Sequence, residues 1–144
     1  MWIKATIIGV VLFLPTLLHA QELPTATKFT DVSWYTITHV VYEPGQRQAA
    51  LAIIREHLAP AAEAAGLEKP QLFEHQTGEW DITLIWSMPE GPAGMEWEIN
   101  PWQESWWASF AEREGGMQAG MAIWQGYIGK ISRASTSVVF DRGR

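Results

Sequence analysis

The sequence predicts an α+β fold: one antiparallel four-stranded sheet with helices on one face, its elements in the order β-α-β-β-α-α-β. Three observations carry this reading. From Trp80 to Met88 the residues alternate, with Trp80, Ile82, Leu84, Trp86 and Met88 on one side and Asp81, Thr83, Ile85 and Ser87 on the other, which is the two-residue period of a strand. A stretch of helical spacing lies on either side of this strand, and a further strand-like stretch lies beyond each of them. The chain also has no cysteine but is 47% hydrophobic and holds nine tryptophans, so a packed core rather than disulfide staples must stabilise it.

The first twenty residues stand apart from that domain. Lys4 supplies a positive charge, residues 5–18 are almost wholly apolar, and Leu18-His19-Ala20 offers a small residue at a cleavage point. This pattern predicts a secretory signal over residues 1–20 and a periplasmic or secreted protein. The apolar run is shorter than the roughly 20 residues of a spanning helix. Residues 21–31, with Pro24 and three threonines, read as a flexible leader, and residues 32–141 as the domain.

Val32 to Tyr42 is rich in β-branched and aromatic residues, and apolar side chains fall on both of its faces. It reads as a central strand. Glu43-Pro44-Gly45 ends it. Gln46 to Ala65 then carries Leu51, Ile54, Leu58 and Ala62 on one helical face, with Pro60 expected to kink or divide the helix and Gly66 to cap it. Gln71 to Met88 reads as two strands joined by a two-residue turn at Gly78–Glu79. Residues 89–94 are a Pro- and Gly-rich loop. Asn100-Pro101 opens a second helix that bears Trp102, Trp106 and Phe110 at four-residue spacing, and Gly115–Gly116 closes it. A third helix spans roughly 117–129 with Met117, Met121, Trp124 and Ile128 on one face, and Ile131 to Phe140 forms the last strand. Two strand–helix–strand units around a central hairpin give the ferredoxin-like arrangement, in which the first and third strands are central.

These residues resemble a known family. The strand, the Pro-Gly turn, the helix ending Ala64-Ala65-Gly66, and Thr77-Gly78-Glu79-Trp80-Asp81 leading into an apolar strand are similar to the dimeric α/β-barrel superfamily. The resemblance runs from Val32 to Phe140. It implies sheet-to-sheet homodimers, and a range of roles that includes cofactor-independent monooxygenases, lyases, isomerases and ligand-sensing domains. The segment Glu96 to Trp102 and the extra third helix depart from the smallest members.

Net charge is −6 and the basic residues are scattered, which speaks against a nucleic-acid partner and, after signal cleavage, against a membrane partner. There is no H-E-x-x-H spacing and no cysteine, so no metal site is expected. No glycine cluster follows a strand and opens a helix, and Ser87, Ser105 and Ser109 lack a nucleophile elbow. The sequence therefore calls for no cofactor.

The residues able to carry proton-transfer chemistry are His39 on the first strand, His75 on the second, and Asp81 at the hairpin, with Glu74 beside them. Whether His39 and His75 meet depends on strand register, and in the expected strand order theirs are not neighbours. His57 reads as an exposed helix residue. Asp81 equally suits a structural role at a turn. The tryptophans mostly suit a sheet–helix core, yet their number exceeds what a small core needs. Trp34, Trp86, Trp102 and Trp106, with Glu74, are candidates for a pocket that holds a small apolar or aromatic molecule. Three functions stay open: a ligand-binding or accessory protein, a cofactor-free enzyme using His39, His75 and Asp81, and a structural oligomerisation module.

Overall fold

The computed structural model describes residues 25–143. The expected signal over residues 1–20 and the first residues of the leader lie outside the described residues. Ten elements of regular structure form one antiparallel sheet with helices on one face. The strands are β1 (Ser33–Tyr42), β2 (Gln71–Glu74), β3 (Ile82–Ser87) and β4 (Ile131–Asp141). They lie in the order β2-β3-β1-β4, so β1 and β3 are central, as the ferredoxin-like topology requires.

Register assigns the two faces, because directly paired residues point the same way. Val40 pairs with Ile82, Thr38 with Leu84 and Thr36 with Trp86. Val40 and Ile82 join Tyr42, Ala50, Leu51 and Tyr127 in the buried core, so this face meets the helices. On the opposite face His39 pairs with Thr83, which pairs in turn with Phe73. No helix among the described residues covers that side. The apolar residues on both faces of β1 are thus matched by a helix layer on only one of them.

The first helix is continuous but changes pitch. It runs as α1 (Arg47–Ile53), a π-helical turn at Ile54–Leu58, and α2 (Ala59–Ala64). Pro60 falls in the first turn of α2, where its missing N–H and its ring are absorbed by the wider turn before it. Gly66 adopts φ +68°, and Gly66 and Leu67 donate back to the carbonyls of Glu63 and Ala62, the double bond of a left-handed helix cap.

The hairpin differs from expectation. Glu74 pairs with Ile82, and the His75 N–H donates to the Asp81 carbonyl at 2.9 Å. The connection therefore spans 75–81 rather than two residues, and Trp80 and Asp81 belong to it. Asp81 also ends the pairing of β3 with β1. Its carboxylate accepts the Tyr42 N–H at 2.8 Å while its own N–H donates to the Val40 carbonyl. The side chain thereby occupies a place on β1 that a further β3 carbonyl would otherwise take, and the ladder ends there.

Residues 91–94 of the expected loop over 89–94 wind, with Met95 and Glu96, into a 3₁₀ turn (Gly91–Glu96). Gly91 has φ +58°, and a Cβ there would lie 3.0 Å from the Trp34 ring, so both backbone and space require glycine. α3 (Pro101–Arg113) starts with a capping box: the Asn100 side chain accepts the Gln103 N–H, and the Gln103 side chain accepts the Asn100 N–H. α4 (Met117–Ile128) follows a glycine pair. Between α3 and α4, Trp106, Trp107, Phe110 and Trp124 form one aromatic cluster that reaches Tyr127. His57 is half-buried rather than exposed, its Nδ1 3.0 Å from Glu114 at the end of α3.

Candidate functional site

The helices leave one end of their sheet face uncovered. There the side chains of Thr36, Thr38, Trp86 and Val138 form the floor of a cleft of about 580 Å³. The 3₁₀ turn and the start of α3 form one wall, through Gly91, Gly94, Met95, Asn100, Pro101 and Trp102, and Leu67 and Glu68 after α2 close another side. Local structure explains the placement. The Asn100 capping box fixes where α3 begins, and Trp102 is its second residue. Trp86 comes from the helix-facing set of β3, opposite Thr36.

The Trp86 and Trp102 rings are nearly parallel, 18° apart in plane, with centroids 6.3 Å apart. That spacing is at the wide end of an offset aromatic pair and leaves no room for a third ring between them. A ligand would lie against the pair, with the Thr36 and Thr38 hydroxyls beneath it. The Thr38 hydroxyl is 3.0 Å from that of Thr136.

The other candidate residues stand elsewhere. Trp34 packs on Phe140 and Phe29, with centroids at 5.1 and 6.2 Å. Trp106 donates from Nε1 to the Leu58 carbonyl at 3.3 Å and stacks on Phe110. Glu74 accepts from Arg47 at 3.2 Å on the surface. None of these three lines the cleft. Asp81 is held by the Tyr42 N–H and lies 4.0 Å from Arg47, which is the structural role that its residue type suits.

On the opposite face His39 and His75 do come together, through a third residue. His75 falls one residue past the end of β2 rather than within it, and β3 lies between β2 and β1, which carries His39. His39 Nδ1 is 2.7 Å from the Thr83 hydroxyl on one side, and His75 Nε2 is 2.7 Å from the same oxygen on the other. Thr83 is only 7% exposed. The Trp80 ring stacks on His39, centroids 5.2 Å apart at 27°, and the Arg133 guanidinium lies 4.5 Å from the Trp80 centroid.

Thr83 carried no signal as a site residue in the sequence beyond its place in the strand that follows Asp81. Its partners come from β1 and from the connection that follows β2, and only the register joins them. Met95 and the threonines of β1 were equally silent, since a cleft wall has no motif.

Among the described residues no group of three or more histidine, cysteine or acidic side chains is placed to hold a metal ion, and no helix is long and apolar enough to cross a membrane.

No family model and no curated protein matches the chain. Solved structures do. A NIPSNAP family protein with unknown function from Agrobacterium tumefaciens is 12% identical, with a TM-score of 0.50 over 76% of this chain and 87% of its own. A second structure of that protein is 14% identical at a TM-score of 0.50, covering 74% of this chain and 90% of its own. At these identities the likeness is one of fold, and it agrees with the ferredoxin-like α+β arrangement of the sheet and helices.

Proposed function

We propose that the protein binds a small, flat, apolar molecule in the cleft between the sheet and the start of α3. The observation that supports this most is the cleft itself. Its volume of about 580 Å³ falls within the range of small-molecule sites, and a mainly apolar lining with a few polar groups is what such sites use. Trp86, Trp102, Met88 and Met95 supply the apolar contact, and Thr36 and Thr38 supply hydroxyls that can orient one polar group of the ligand.

N-phenyl-1-naphthylamine, a neutral apolar fluorophore, tests the reading. It should bind with increased emission and quench the intrinsic tryptophan signal. Trp102→Ala should weaken binding by about tenfold, near 1.4 kcal/mol, with little loss of stability because Trp102 is 50% exposed. Absence of any emission change, or equal affinity in the variant, would remove the cleft as the binding site.

Export and a homodimer belong to the same proposal. They rest on the N-terminal pattern and on the family resemblance. Protein recovered from the periplasm should begin at Gln21 by intact mass and sediment as a dimer. A retained N-terminus or a monomer would reject the corresponding part.

A further inference from the structure

The cleft between the sheet and the start of α3 has walls of one charge. Glu68 lines it from the segment after α2 and Glu90 from the residue before the 3₁₀ turn, and no lysine, arginine or histidine lines it. Both glutamates are exposed, and neither has an ion-pair partner among the described residues. The sequence extends the bias. Residues 70–112 contain no lysine or arginine, and the stretch that builds the cleft wall carries Glu96, Glu98 and Glu104 besides Glu90. Lys69, next to Glu68, is engaged by Glu63 at 3.2 Å. Arg142 lies over the Phe29 and Phe140 rings and does not line the cleft.

One opposing field exists. The N-terminal end of α3 is equivalent to roughly half a positive charge. Pro101 has no N–H to offer there, the Asn100 side chain already accepts that of Gln103, and Glu104 lies in the first turn. That end is therefore offset within the protein itself.

We infer that the cleft takes organic cations: a flat apolar body bearing one ammonium group. This rests on the reading of the cleft as a small-molecule site and adds the charge of the ligand to it. The cleft and its aromatic pair make the site, and the carboxylates select among its ligands. A cation is drawn to the face of an indole, and Trp102, stacked on Trp86, is 50% exposed. The Thr36 and Thr38 hydroxyls can accept from an ammonium N–H. An anionic ligand meets two carboxylates and no cation, which is selection by an unfavourable charge. These charges act through water, so the preference is modest and weakens with salt. The cleft is on the helix-bearing face of the sheet, so the proposed sheet-to-sheet homodimer leaves it open.

Three naphthalenes of one shape test the inference: 1-naphthylmethylamine, a cation at neutral pH, neutral 1-naphthalenemethanol, and anionic 1-naphthaleneacetate. Equilibrium dialysis against the full chain at low salt measures each affinity directly. The amine should bind about fivefold more tightly than the alcohol, and the acetate about fivefold more weakly. The amine's advantage should shrink on adding sodium chloride. In the double variant Glu68→Gln/Glu90→Gln it should fall to about twofold or less. The double variant Glu56→Gln/Glu112→Gln, which removes two exposed carboxylates that do not line the cleft, should keep it. Equal affinity for amine and alcohol, or an advantage that survives Glu68→Gln/Glu90→Gln, would overturn the charge inference and leave the cleft reading standing. If none of the three binds, or if Trp102→Ala changes none of their affinities, the cleft reading fails and this inference fails with it.

Discussion

Phe110→Ala is expected to lower the unfolding free energy by about 3–5 kcal/mol, the usual cost of removing a large aromatic from a packed core. Phe110 is fully buried. Trp106 stacks on it at 4.8 Å, Trp107 lies at 5.9 Å, and α4 passes so close that a Cβ on Gly120 would sit 3.3 Å from the Phe110 ring. The surrounding groups have little freedom to fill the space. Trp106 is held by its hydrogen bond to the Leu58 carbonyl, and the backbone of α4 is already in contact. Such a loss is a fifth or more of the stability of an ordinary domain, typically about 5–15 kcal/mol. Urea unfolding checks it, with Trp97→Ala as the contrast: Trp97 is 55% exposed and its removal should change stability by less than about 0.5 kcal/mol. Because α3 carries Trp102, Phe110→Ala should also weaken binding of the naphthylamine probe. Unchanged stability would mean that the α3–α4 seam is not a tightly packed core.

Stability should fall steeply above pH 10. Tyr42 and Tyr127 are buried with their hydroxyls 3.3 Å apart. Burial, and after it the neighbouring Tyr127, raises the Tyr42 phenol well above the ordinary tyrosine value; burial also raises Tyr127, against a smaller lowering by its hydrogen bond with Tyr42. In the unfolded chain the same groups ionise near pH 10. Below that pH both states keep their protons, so the pair's contribution is fully present and does not vary with pH. Above it the unfolded state releases protons that the folded state retains. The unfolded state is then favoured by about 1.4 kcal/mol per tyrosine for each pH unit, until the folded phenols ionise in turn. Two such groups give about 2–3 kcal/mol per unit. Urea titrations between pH 9 and 11.5 measure this slope, and Tyr42→Phe should reduce it by about half. A slope unaffected by that substitution would place the alkaline sensitivity in other groups.

Much of the fold was legible because each element carries its own local signal. The alternation through β3 and the capping signature at Asn100-Pro101 are short-range patterns. So are the change of helical pitch just before Pro60 and the stop at Gly66, and each has a structure that its residues favour. Strand order followed from the sequence of elements, since few topologies join two strand–helix–strand units. The hairpin turn was misread for a physical reason. Gly78–Glu79 has the composition of a tight turn, but the β2–β3 pairing stops at His75 and Asp81, where the Asp81 carboxylate is engaged by the backbone of β1. No local pattern reveals a hydrogen bond made across 39 residues.

The candidate site divides along the same line. That the chain holds more tryptophan than a small core needs, and that His39, His75 and Asp81 are its proton-transfer groups, could be read from residue identity alone. Which tryptophans face a cleft could not. Trp102 and Trp106 are one helical turn apart, yet the first lines the cleft and the second enters the α3–α4 core. The difference depends on how α3 crosses its neighbours, and only tertiary packing sets that. His39 and His75 meet because the register of three strands places Thr83 between them, and a slip of one residue would turn it to the other face. Local propensity and periodicity settle the elements, their order and the chemical groups available, and these can be read along the chain. Which groups share a site depends on register, helix crossing and long-range hydrogen bonds, which are set by the whole fold.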